Sequence, residues 1–197
     1  MEEYVIALLP PGEVTAVVAS WQERTFRDHS LTSGLALPVH LPLAVSAQPI
    51  WLGHPATQPP APRAAAAVPL QRIAVPPLTL GEPVLANGGL YLKVSHPGHS
   101  AALSTWLLGW LSDAAEWCQH RGETLQPGPG FMLVAPGETP PLDVAANLTA
   151  AGRRFSRATL AVLRVEFAEQ RNWWCHAEWQ ITQTLPLRRA AAPGSAG

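Results

Sequence analysis

Tyr4 to Leu9 is an unbroken apolar run closed by Pro10-Pro11-Gly12, the pattern of a buried strand with a proline stop. Val14, Val17, Val18 and Trp21 then recur at helical spacing, with Glu13, Gln22, Glu23 and Arg24 off the stripe, and predict an amphipathic helix over residues 13–26. After the polar loop Arg27 to Ser33 the period changes to two. Leu35, Leu37, Val39, Leu41, Leu43 and Val45 fall on one face, and Ala36, Pro38, His40, Pro42 and Ala44 on the other. This predicts a strand over 35–45 with His40 opposite the core face.

Gln48 to Pro69 is rich in Pro and Ala, and Pro59-Pro60 argues against a continuous helix; an irregular connection with one short helical turn around Arg63 to Ala67 is expected. Leu78 to Leu85 and Leu90 to Val94 flank Asn87-Gly88-Gly89, turn chemistry that predicts a hairpin. A wide apolar stripe, Leu103, Trp106, Leu107, Trp110, Leu111, Ala114, Trp117 and Cys118, predicts a long helix capped by Ser100 and ending near His120-Arg121-Gly122. Phe131 to Ala135 reads as a strand stopped by Pro136-Gly137, and Thr139-Pro140 opens a helix to about Ala151 with Gly152 as its stop. Two strands, Ala158 to Phe167 and Trp173 to Thr184, close the pattern, and the Ala-, Pro-, Gly- and Ser-rich tail from Arg188 is expected to be disordered.

Composition narrows the function classes. With 197 residues, 47% of them hydrophobic, the chain can bury a real core. A formal net charge of -1 gives no general attraction to nucleic acid, so any such contact must be local. Cys118 and Cys175 are far apart and lack metal-ligand spacing, so no metal or other cofactor is indicated and both read as free thiols. Met1-Glu2-Glu3 places acidic residues where an export signal needs basic ones, and no apolar run approaches membrane-spanning length, so a soluble, cytoplasmic protein without a membrane partner is expected, its oligomeric state open with a monomer as the default. P-loop, dinucleotide-binding and nucleophile-elbow motifs are absent. Arg153, Arg154 and Arg157 form a small basic cluster, a candidate phosphate site weighed against an ordinary solvated loop. The Trp106, Trp110 and Trp117 stripe has helical spacing and reads as core, whereas Trp51 in its Pro-rich segment is free to be exposed.

The strand, helix and strand from Tyr4 to Leu43 are matched by strand, helix and strand from Tyr91 to Leu133 at closely similar spacing, which reads as an internal duplication. The opening Tyr4-Val5-Ile6-Ala7-Leu8-Leu9-Pro10, the helix, and then Leu37-Pro38-Val39-His40-Leu41-Pro42-Leu43 resemble the start of the 2H phosphoesterases, the superfamily of 2'-5' RNA ligases and cyclic phosphodiesterases. In that family each repeat carries a His-x-Thr/Ser motif, and the final strand often carries a Trp, as Trp173-Trp174 does. The resemblance spans residues 3–184 in order and length. It implies an α+β fold of two pseudo-symmetric lobes, each an antiparallel sheet with outer helices, around a central cleft. Lobe one would take about residues 1–85, with the connection 48–69, and lobe two about residues 86–187, leaving 188–197 as a tail.

The family chemistry needs one imidazole to take a proton from the attacking oxygen and another to protonate the leaving oxygen. A hydroxyl two residues after each histidine shares its strand face and can bind the non-bridging phosphate oxygens. Here the first motif keeps His40 but has Pro42 in the hydroxyl place; the second, in Gln126-Pro127-Gly128-Pro129-Gly130-Phe131-Met132-Leu133-Val134-Ala135, has Gly130 in the histidine place and Met132 in the hydroxyl place. His40 is the one retained catalytic candidate. His96, His99 and His176 could supply a second imidazole but read more simply as exposed polar residues. The resemblance implies a degenerate relative that binds an RNA end, a cyclic nucleotide or another phosphorylated small molecule with weak or no turnover. Two alternatives stay open: a working cyclic phosphodiesterase or 2'-5' RNA ligase with a substitute second acid/base, and a non-catalytic interaction protein.

Overall fold

The computed structural model describes residues 1–47, 49, 74–75, 77–95, 130–138, 140, 152–168 and 172–189. The connection 48–69, the long Trp-rich helix, the helix expected after Thr139 and most of the tail therefore lie outside the described residues, as do Trp51, His96, His99 and Cys118. Within them the protein is α+β, with one α-helix and two four-stranded antiparallel sheets.

The first sheet is built from β1 (Glu2–Leu9), β2 (Leu41–Ser46), β8 (Thr159–Glu166) and β9 (Glu178–Pro186), in the order β2-β1-β8-β9. The second takes β4 (Leu78–Ala86), β5 (Gly89–Ser95), β6 (Gly130–Val134) and the short β7 (Arg154–Phe155), in the order β6-β5-β4-β7. The first sheet thus draws on both ends of the chain and the second on its middle, so a boundary at residue 85 falls inside the β4–β5 hairpin. A parallel pairing of β3 (Ala74–Val75) with β10 (Arg188–Arg189) adds a third, two-stranded element. Arg188 and Arg189, the first two residues of the expected tail, thus find backbone partners in β3.

Helix α1, Gly12–His29, buries Val14, Val18 and Trp21 of the expected stripe and leaves Val17 half-buried against the same core. It also buries Gln22 and Thr25, which the apolar pattern alone leaves outside; Gln22 is kept there by donating Nε2–H to the Met132 carbonyl at 2.9 Å. The helix ends at Ser30, in the left-handed region at φ 57°, with Ser30 N–H bonded to Phe26 O and Leu31 N–H to Thr25 O. Buried Leu31 completes this Schellman-type stop.

Where alternation predicts one strand over 35–45, Ser33–Leu35 forms a 3-10 turn and the strand begins only at Leu41. Within β2 the register slips: Pro42 lies opposite Ala7 but Ala44 opposite Ile6, leaving Leu43 as a bulge. Leu41 and Leu43 enter the main core, while Val45, opposite Val5, packs in a second cluster on the other face of the sheet. A single extra residue has inverted the second half of a strictly alternating sequence. Likewise, where a strand over Trp173 to Thr184 is expected, Trp173–Cys175 is a 3-10 turn and β9 starts at Glu178, so His176 precedes the strand.

The expected hairpin forms between β4 and β5, with Asn87 at φ 49° and Gly88 at φ 78° between the paired Ala86 and Gly89. Two successive positive φ values make this a type I′ turn, whose twist suits antiparallel strands. Further along, Gly81 and Glu82 together oppose Lys93, a bulge that leaves Pro83 opposite Leu92. β4 pairs β7 only at Leu78 and Thr79, so among the described residues Pro83 faces an open edge, where its missing N–H costs no ladder bond. One continuous core, including Ile6, Leu8, Val18, Leu41, Leu80, Leu92, Phe131, Leu133 and Leu160, serves both sheets and the helix.

Candidate functional site

The two strands carrying the motif positions are the outer strands of different sheets, and β2 and β6 approach one another. The junction is tied by polar contacts from the α1–β2 connection to the end of β6. Glu138, in the turn after β6, accepts hydrogen bonds from Thr32 N–H and Ser33 N–H, both at 2.9 Å, and from the Ser33 hydroxyl. Ser33 Oγ in turn accepts Ala135 N–H at 2.7 Å. A side chain at Gly34 would collide with the Leu133 carbonyl, so only glycine lets this segment lie so close to the strand.

His40 occupies the residue before β2. Only 6% of it is exposed, so it is buried and not solvent-facing as strand alternation predicts. The shortened strand explains the difference: His40 lies in the approach to β2, outside the pleat. Its Nδ1 is 2.7 Å from the Pro38 carbonyl, which in the neutral ring fixes the tautomer with the proton on Nδ1. Burial lowers its pKa from the ordinary histidine value, with the Pro38 contact acting weakly the other way. The ring is therefore neutral at pH 7, with Nε2 as an acceptor that has no hydrogen-bond partner among the described residues. Pro42, two residues on, is half-buried and brings no hydroxyl.

The second motif half begins at Gly130, the first residue of β6, opposite Lys93. A Cβ placed there would strike the Leu92 carbonyl oxygen and lie 2.7 Å from the Leu92 carbonyl carbon and 2.9 Å from Lys93 Cα. Real Cβ atoms do not approach backbone so closely, and backbone in a paired strand cannot yield as a side-chain tip can. Gly130 is thus a requirement of the β5–β6 pairing as well as an absent imidazole. Met132, opposite Tyr91, is half-buried, and its carbonyl is the one held by Gln22.

Arg153, Arg154 and Arg157 are all exposed, and among the described residues their side chains form no hydrogen bond or ion pair. Arg154 belongs to β7, at the edge of the second sheet opposite β6. Three strand spacings of about 4.8 Å separate those strands, so the arginines do not converge on the β2–β6 junction. His176 and His29 are exposed and lie on the β8–β9 connection and at the end of α1, so neither completes a pair with His40. Among the described residues no group of three or more His, Cys, Asp or Glu could hold a metal ion, and no helix is long and apolar enough to cross a membrane. Lys93, the only lysine, belongs to no motif; its signal is positional, a cation alternating with the core residues Leu92 and Val94 on β5.

No protein-family model matches the chain, and no curated protein is significantly similar to it.

Proposed function

We propose that this protein is a degenerate relative of the 2H phosphoesterases: a scaffold of two similar lobes that binds a phosphorylated ligand, an RNA end or cyclic nucleotide, without turning it over. The single observation that carries the loss of turnover is the steric closure at Gly130. General acid/base cleavage of a phosphodiester needs a proton acceptor and a proton donor on opposite sides of one phosphate. The position that would present the second imidazole has no room for a side chain, and the two hydroxyl positions hold Pro42 and Met132. His40, neutral and buried, is left as half of a pair.

The likeness of scaffold has its own support. β1 and β2, joined by α1, pair antiparallel, and so do β5 and β6, as two copies of one unit would. Their second strands, β2 directly after His40 and β6 beginning at Gly130, are the ones that meet between the sheets. Losing one member of an acid/base pair removes about 10²- to 10⁴-fold of rate. Purified protein incubated with 2',3'-cyclic nucleotides and with 2'-5' linked oligonucleotides, beside His40→Ala, is expected to show no turnover above the variant. Turnover that disappears in His40→Ala would overturn the reading in favour of a working phosphodiesterase or ligase.

A further inference from the structure

The outward face of the second sheet carries polar side chains that the motif comparison leaves unused. Register places Thr79 opposite Ser95 on β5 and opposite Arg154 on β7. Lys93 precedes Ser95 by two residues on the same strand, so all four side chains leave the sheet on one face. That face is turned from the core, because the residues alternating with them, Leu78, Leu92, Val94 and Phe155, are core members.

Lys93 also stands between two glycines. Gly81 flanks it on β4, where an added Cβ would be 3.5 Å from Lys93 Cβ, and Gly130 flanks it on β6. Of the residues opposite the lysine on the adjacent strands, only Glu82, the second residue of the β4 bulge, carries a side chain. Lys93 and Arg154 are exposed, Thr79 and Ser95 half-buried. The salt bridges among the described residues are those of Arg164 with Glu2 and Glu166, so both cations lack a described carboxylate partner. Opposed residues lie about 5 Å apart across strands and residues two apart about 7 Å along one. Two long cationic side chains can thus close over two hydroxyls from either side.

We propose that this face binds the phosphate group of the ligand, with Lys93 and Arg154 supplying charge-assisted hydrogen bonds and Thr79 and Ser95 hydroxyl donors, Ser95 giving up its long 3.5 Å bond to the Thr79 carbonyl. A tetrahedral anion with several acceptor oxygens suits four donors spread over one sheet face better than a planar carboxylate does. The choice of a nucleotide as bearer of that phosphate rests on the reading under Proposed function; the arrangement of the four donors does not. Glu82, the exposed second residue of the bulge opposite Lys93, is the one carboxylate of β4, and its charge opposes an anion there.

Titration of the full chain with inorganic phosphate and then adenosine 3'-monophosphate, followed by backbone amide shifts and calorimetry, tests this. Saturable binding is expected, with shifts at Thr79, Lys93, Ser95 and Arg154. Lys93→Gln and Arg154→Gln should each weaken it about tenfold, Glu82→Gln should tighten it, and Arg24→Gln, an exposed charge on α1, should leave it unchanged. No saturable binding, or equal affinity in the Lys93, Arg154 and Arg24 variants, would overturn the proposal. The two readings fail separately: His40-dependent turnover would remove the non-catalytic reading without touching this face, and binding indifferent to Lys93 and Arg154 would do the reverse.

Discussion

A neutral imidazole held inside the protein couples folding to pH, and at His40 the direction of that coupling follows from its surroundings. Burial lowers the folded-state pKa below the ordinary value of 6.5, and the Pro38 carbonyl only partly offsets this. At pH 7.5 the ring is neutral in both folded and unfolded chains, and its protonation has no effect on stability. As pH falls below about 6.5 the unfolded chain takes up a proton that the folded one refuses, so stability declines, by at most about 1.4 kcal/mol per pH unit, until the lowered folded-state pKa is reached. Denaturant titrations at pH 7.5 and 5.5 should show this loss, and His40→Phe, which has no proton to gain, should lose less over the same interval. An equal loss in both proteins would place the acid sensitivity elsewhere. At Gly130 the effect is steric: Gly130→Ala must move the β5 or β6 backbone, and a cost of about 3 kcal/mol or more in unfolding free energy, read from denaturant titration, is expected, in the upper range for single substitutions.

At the scale of elements, the α1–β2 connection and the end of β6 are held by one carboxylate. Glu138→Ala would leave the Thr32 and Ser33 N–H groups and a buried hydroxyl without their acceptor, and should cost about 1–3 kcal/mol; Glu138→Gln, which keeps an acceptor, should recover part of it. Thermal unfolding of the two variants measures this directly. Local chemistry was legible in the sequence wherever it was self-sufficient: the apolar stripe gave α1 within a few residues of its ends, and Asn87-Gly88 gave the hairpin turn. What alternation could not reveal is a bulge, because Leu43 is unpaired only in relation to β1. For the same reason the pattern turned His40 outward, gave Gln22 a surface position it does not have, and ran β9 back through the 3-10 turn at Trp173–Cys175. The motif residues were found by their place in the repeat, but that Gly130 excludes a side chain depends on Leu92 and Lys93 in a strand distant in sequence.

For the whole molecule, the decisive feature is that the main core is shared by both sheets, although the first sheet also packs a smaller cluster on its other face. Leu8 and Leu160 come from the first sheet, Leu92 and Phe131 from the second, and Val18 from the helix, and all belong to one buried cluster. The chain also crosses between the two four-stranded sheets twice along the described strands, from β2 to β4 and from β7 to β8, and β10 pairs with β3 in a separate two-stranded element. Neither sheet can therefore lose its packing while the other keeps its own, and a single cooperative transition is expected. Circular dichroism of the strands and tryptophan fluorescence should trace the same denaturant curve. Leu160→Ala in the first sheet and Leu92→Ala in the second should each cost about 2–5 kcal/mol and displace that entire curve, whichever probe is followed. Two resolved transitions, with Leu92→Ala moving one and Leu160→Ala the other, would instead show two independent lobes. A shared core would also hold the β2–β6 junction at a fixed width, so a ligand on the outward face of the second sheet would meet an arrangement of Lys93, Ser95, Thr79 and Arg154 already in place.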